Sequence, residues 1–65
     1  MLLTVKEVAQ RLRASPAMVY RLYHSGLLKM IKIGSLKCRE ETLNEFIEKY
    51  DGYDVSFPEL GARKL

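Results

Sequence analysis

Ser15-Pro16-Ala17-Met18-Val19-Tyr20-Arg21-Leu22-Tyr23-His24-Ser25-Gly26 is the stretch whose reading decides the fold. It has a start signal, a stop signal and two chemically different faces. A serine hydroxyl at Ser15 can accept hydrogen bonds from the first amides of a helix. Pro16 suits the first helical position, where the missing N–H has no partner to lose. Gly26 takes the left-handed conformation that ends helices. At about 100° per residue, Met18, Val19, Leu22 and Tyr23 share one side, and Ala17, Tyr20, Arg21 and His24 share the other. The first set reads as a core face and the second as a face turned outward.

Upstream, Thr4-Val5-Lys6-Glu7 has the capping-box pattern, and Leu3 before it with Val8 after it fits a hydrophobic staple. Val5, Val8, Ala9 and Leu12 recur at helical spacing, which predicts an amphipathic helix over residues 5–12. Arg13-Ala14-Ser15 is a tight link, and two short helices so joined make a helix-turn-helix. Met1 to Leu3 are apolar and extended.

Downstream, the period changes. Residues 27–33 contain β-favouring residues, with Ile31 and Ile33 alternating around Lys32. Gly34-Ser35 signals a tight turn, and Leu36-Lys37-Cys38-Arg39 supplies a returning strand. The pattern predicts a small basic hairpin, a wing, with Ile31, Ile33 and Cys38 leaning on the helices, because a lone hairpin is barely stable. Residues 40–50 return to helical spacing through Leu43, Phe46, Ile47 and Tyr50. Glu40 and Glu41 lie in the first turn and Lys49 in the last, as the helix dipole favours. The expected architecture is mostly α with a small β-hairpin, a winged helix-turn-helix over residues 1–52. Residues 53–65 have no period and are interrupted by Pro58 and Gly61. For this tail the sequence leaves partial disorder, or docking on the core or a partner.

The chain of 65 residues allows one small domain with a modest core. Its single cysteine excludes an intrachain disulfide, and Cys38 with His24 is too little for a zinc site. Cys38 reads as a small buried apolar residue. No apolar run approaches a membrane span and no leader pattern opens the chain, so a cytosolic location is expected. No nucleophile with a base, phosphate-cradling glycine loop or metal-ligand spacing is present, so no enzyme, cofactor or metal is expected. Charge is sorted along the chain. Residues 1–39 carry eight basic side chains and only Glu7 as an acid, whereas residues 40–65 carry three basic and seven acidic ones. That sorting argues for a cationic working surface in the first part.

The chemistry this constellation suits is recognition of double-stranded DNA. A helix fits the major groove, where Ala17 can meet a thymine methyl, Arg21 can pair bidentately with guanine and Tyr20 can reach a phosphate or sugar. His24, Ser15 and the wing residues Lys32, Ser35 and Lys37 fall where the backbone or the adjacent minor groove would lie. Thr4 and the first amides of the first helix can hold a phosphate. The plainer readings are a solvated Arg21, a packing Tyr20, an idle His24 and a Lys37 that protects an edge strand.

Leu3-Thr4-Val5-Lys6-Glu7-Val8-Ala9, the Val-Tyr-Arg-Leu run within residues 15–26, Lys32-Ile33-Gly34, and Arg39-Glu40-Glu41 with Leu43 and Phe46 together resemble the excisionase-type branch of MerR-like winged helix-turn-helix proteins. The resemblance covers about residues 2–50. It implies a second helix in the major groove, carried here by Ala17, Tyr20 and Arg21, and a wing on the backbone or minor groove, carried by Lys32, Ser35 and Lys37. Cys38 stands where a bulky aliphatic residue is usual, and Leu36 where an aromatic or basic one is common. Arg39 replaces the usual helix-starting proline, which makes it a candidate phosphate contact.

The resemblance implies an architectural factor that binds in several copies, bends DNA and assists an integrase in excision; the tail lies outside it, and Phe57 and Leu60 there are candidate contacts for the next copy or the integrase. The same face would serve a small MerR-like transcriptional regulator, and a winged-helix module that binds an acidic protein is the reading of another class.

Overall fold

The computed structural model describes residues 1–65 and shows three helices with a small antiparallel sheet, a winged helix-turn-helix arrangement. Strand β1 (Leu2–Thr4) runs directly into helix α1 (Val5–Leu12). The capping box closes as the sequence indicates. The Glu7 amide donates to the Thr4 hydroxyl at 3.2 Å, and the Thr4 amide donates to the Glu7 carboxylate at 2.9 Å. The bond from the Thr4 amide to its carboxylate is the main cause that holds Glu7 below the usual glutamate range. Arg13 ends α1 in the left-handed region at φ 54°, and the Ala14 amide returns to the Ala9 carbonyl at 2.9 Å. The chain then enters α2 (Pro16–Ser25), with Ser15 as its cap.

Beyond Gly26 (φ 87°), the Leu28 amide donates to the Leu22 carbonyl of the helix just left. That bond and the burial of Leu28 delay the expected strand, so β2 spans only Ile31–Ile33. The turn rests on Gly34 (φ 72°) alone, and Ser35 already begins β3 (Ser35–Arg39). Helix α3 (Glu40–Lys49) follows at once.

The wing is not a lone hairpin. Strand β3 is the middle of three, with β1 on one side and β2 on the other, and Leu3 pairs with Cys38. The support expected from Ile31 and Ile33 is therefore absent. They are 42% and 60% exposed, on the face of the sheet turned from the core. Backbone hydrogen bonds from β3, which β1 anchors, hold β2 in their place. The Cys38 side chain is buried and its thiol points at the Lys29 carbonyl, 3.7 Å away. Burial pushes that thiol above its ordinary pKa, which keeps it protonated and inert.

The core joins Leu3, Val8, Ala9, Val19, Leu22, Leu28, Cys38, Leu43 and Phe46. It draws at least one residue from every helix, so α1 and α2 cover each other as their apolar faces require. Ile47, grouped with the core face of α3 by its spacing, lies at the edge and is exposed.

Residues 53–65 fold back on the helices. Strands β4 (Tyr53–Asp54) and β5 (Arg63–Lys64) pair antiparallel around a 3₁₀ turn over Pro58–Leu60. Pro58 is buried, and Val55 packs against the core. Asp54 accepts from both the amide and the hydroxyl of Ser56, which fixes the bend before the 3₁₀ turn and lowers its pKa.

Candidate nucleic-acid interface

The outward face of α2 is held at both ends. The Ser15 hydroxyl accepts the Met18 amide at 3.2 Å, leaving its own proton free to donate. At the far end the Gly26 amide closes on the Tyr23 carbonyl at 3.1 Å and the Ser25 hydroxyl on that of Leu22 at 2.9 Å. With Val19 and Leu22 locked in the core, rotation of the helix is fixed. Ala17, Tyr20, Arg21 and His24 are all exposed together on the opposite side. Met18 and Tyr23, placed on the core face by their spacing, are half-buried at its two margins.

The two flanks of this face differ. On the Tyr20 flank lies the wing, and between them a cleft of about 400 Å³ is lined by Tyr20, Tyr23, His24, Lys32, Ser35 and Leu36. The His24 ring leans on Tyr23 with centroids 5.2 Å apart. Strand pairing separates the wing's cations. Lys32 pairs with Leu36 on the face toward this cleft, whereas Lys37 and Arg39 alternate with the buried Cys38 and so face the other way. Lys37 donates to the Ser35 hydroxyl at the tip. Thr4 lies directly across β3 from Lys37, which puts the start of α1 beside the wing. The Glu7 carboxylate occupies the Thr4 amide there.

On the Arg21 flank lies the tail. The Arg21 Nε donates to Glu59 at 3.1 Å and its Nη2 at 2.8 Å, one to each carboxylate oxygen, while the guanidinium carbon stands 5.9 Å from the centre of the Phe57 ring. The pairing raises the Arg21 pKa and lowers that of Glu59. Arg21 thus stands at the exposed surface but is already engaged, and the tail stops at that edge, leaving Ala17, Tyr20 and His24 uncovered. Neither Glu59 nor the ring of Phe57 was marked by any local sequence signal as a neighbour of Arg21, since 38 residues separate the ion pair.

Two further arginines are also matched by acids of the second half: Arg11 to Glu40 at 2.9 Å, and Arg39 to Glu41 at 4.0 Å. The basic excess of residues 1–39 is therefore partly neutralised by folding. Lys6, Arg13, Lys29, Lys32 and Lys37 keep their charges without a carboxylate partner. No helix is long and apolar enough to cross a membrane.

Residues 2–51 match a family model described as a helix-turn-helix domain. No curated protein and no solved structure matches the chain.

Proposed function

The chain belongs to the helix-turn-helix domain family of DNA-binding proteins, and from that premise we propose that it acts as an excisionase-like architectural factor on specific duplex DNA. In this reading α2 lies in a major groove, with Ala17, Tyr20 and Arg21 toward the base edges. The tip of the wing, with Lys32, Ser35 and Lys37, grips the strand beside it; Thr4, Ser15, His24 and Arg39 contact phosphates. The protein works in the cytosol by binding, without catalysis, a metal or a cofactor. The observation that carries the reading is the uncovered Ala17–Tyr20–His24 surface of a rotationally fixed helix, flanked by a basic wing.

Bending a site costs on the order of 1–6 kcal/mol for a moderate smooth bend. One short helix and one wing offset that only when several copies, or a copy and an integrase, share the site. The exposed Phe57 and Leu60, 58% and 63% accessible, are the contacts proposed for that partner.

Selection of bound duplexes from a random pool, followed by a salt titration, tests the reading. With about five phosphate contacts, log affinity should fall against log salt with a slope of about −4 to −5. Arg21→Ala should relax preference at one base pair, and Lys37→Ala should weaken all duplexes alike. Addition to an integrase with its attachment sites should then drive excision. A promoter site with no effect on excision would assign transcriptional regulation instead, and no binding at low salt would point to an acidic protein partner.

A further inference from the structure

We propose that Glu59 is a positioning residue for Arg21 on DNA, so that the tail is part of the sequence-reading surface rather than an appendage to it. The inference rests on the DNA-binding reading of α2. A guanidinium has five N–H donors in a fixed plane. Here Glu59 takes one from Nε and one from Nη2, in the paired geometry that suits a carboxylate, and Nη1 leans on the Met18 sulfur at 3.8 Å. One donor on each terminal nitrogen is left. A guanine edge offers two acceptors, O6 and N7. The donors left over match the acceptors offered.

The holder is carried on a closed turn. Pro58 is buried, and the turn that carries Glu59 is closed by the Leu60 amide on the Phe57 carbonyl at 2.9 Å and the Gly61 amide on that of Pro58 at 3.0 Å. The Phe57 ring stands against the same guanidinium. A long exposed arginine loses rotamer freedom when it settles on a base, and a side chain already held loses less. The carboxylate also has a repulsive role. It discourages Arg21 from swinging to a phosphate, a contact that strengthens binding without reading sequence.

The test compares the full-length wild type with Glu59→Gln, Arg21→Ala and the double variant. Each is titrated against the selected duplex, the same duplex changed at the pair Arg21 reads, and a random duplex. Wild type should prefer the selected pair by at least about fivefold. Glu59→Gln should reduce that preference to below about twofold while tightening the random duplex about two- to fivefold. In the Arg21→Ala background Glu59→Gln should change the preference no further. In the free protein, the Arg21 Nε–H resonance should be protected from exchange in wild type and lose that protection in Glu59→Gln. Intact preference in Glu59→Gln, or equal tightening of selected and random duplexes as a simple gate would give, overturns the positioning role alone. Failure of the wild type to bind any duplex overturns the DNA reading and this inference with it.

Discussion

The body, residues 1–52, and the tail, residues 53–65, are built on different principles. In the body each helix begins with its own signal or a flanking strand, and its apolar side is buried in a shared core of nine residues. The tail has two strands of two residues each, one buried proline, and an ion pair at the surface. An open apolar cleft of about 460 Å³, bounded by Leu12, Met18, Leu22 and Phe46 on one side and Tyr53 and Val55 on the other, runs between them. The body is fixed by packing, whereas the tail is fixed largely by what it touches on α2. The contrast teaches that one small chain can hold one part by its own core and another by docking on that part.

The strongest way to break the comparison is in the core. Leu43 is wholly buried at the centre of α3, so Leu43→Ala should cost about 2–5 kcal/mol. In a domain this small that is enough to populate the unfolded state, and urea denaturation followed by circular dichroism measures it. Deleting residues 53–65 should cost less, about 1–3 kcal/mol, the scale of one or two apolar side chains returned to water. The transition should stay cooperative, since the core cluster contains no tail residue. A shortened chain without a cooperative transition would place the tail in the folding unit and erase the distinction. Smaller again, Ser15→Ala removes one cap bond from α2 and should cost about 1 kcal/mol. The same denaturation experiment reads it, with α1 and its separate capping box intact.

The legibility of the two parts differs for the same reason. The capping box of Thr4 and Glu7, the Ser15-Pro16 start and the Gly26 stop act within a few residues, and the chain alone displayed them. The face of α2 followed from spacing. Strand β1 is too short to display alternation, and its pairing with β3 joins residues more than thirty positions apart. Alternation of Ile31 with Ile33 was visible, but period alone does not say which side of a strand faces inward. Lys32 is on the side toward α2, and the isoleucines face solvent because the register with β3 sets them opposite Lys37 and Ser35, on the face away from Leu3 and Cys38. Charge sorting was visible as well. Its consequence, Glu40 and Glu59 reaching back to Arg11 and Arg21, depended on the fold.

Acid should separate tail from body by the least disruptive route. Glu59 is held below its ordinary value of 4.5 first by the hydrogen bonds it accepts from Arg21, and Asp54 below 3.8 first by the one it accepts from the Ser56 hydroxyl. A carboxylate whose pKa is lower folded than unfolded stabilises the fold fully above the unfolded value, and this contribution disappears as pH falls through the folded one. Between neutrality and pH 4.5 the tail should therefore stay docked. Below that its contacts with α2 should loosen, Glu59 releasing Arg21 and Asp54 releasing the bend at Ser56. Both carboxylates are at the surface, so the effect on global stability should be slight. Chemical shifts of the Arg21 side chain and the Phe57 ring, followed against pH, read it directly. They should move together in Glu59's titration while Val19 and Leu43 stay still. Glu7 titrates below 4.5 as well and opens the capping box of α1, so it is movement of Val19 and Leu43, away from that cap, that would mean tail and body melt as one.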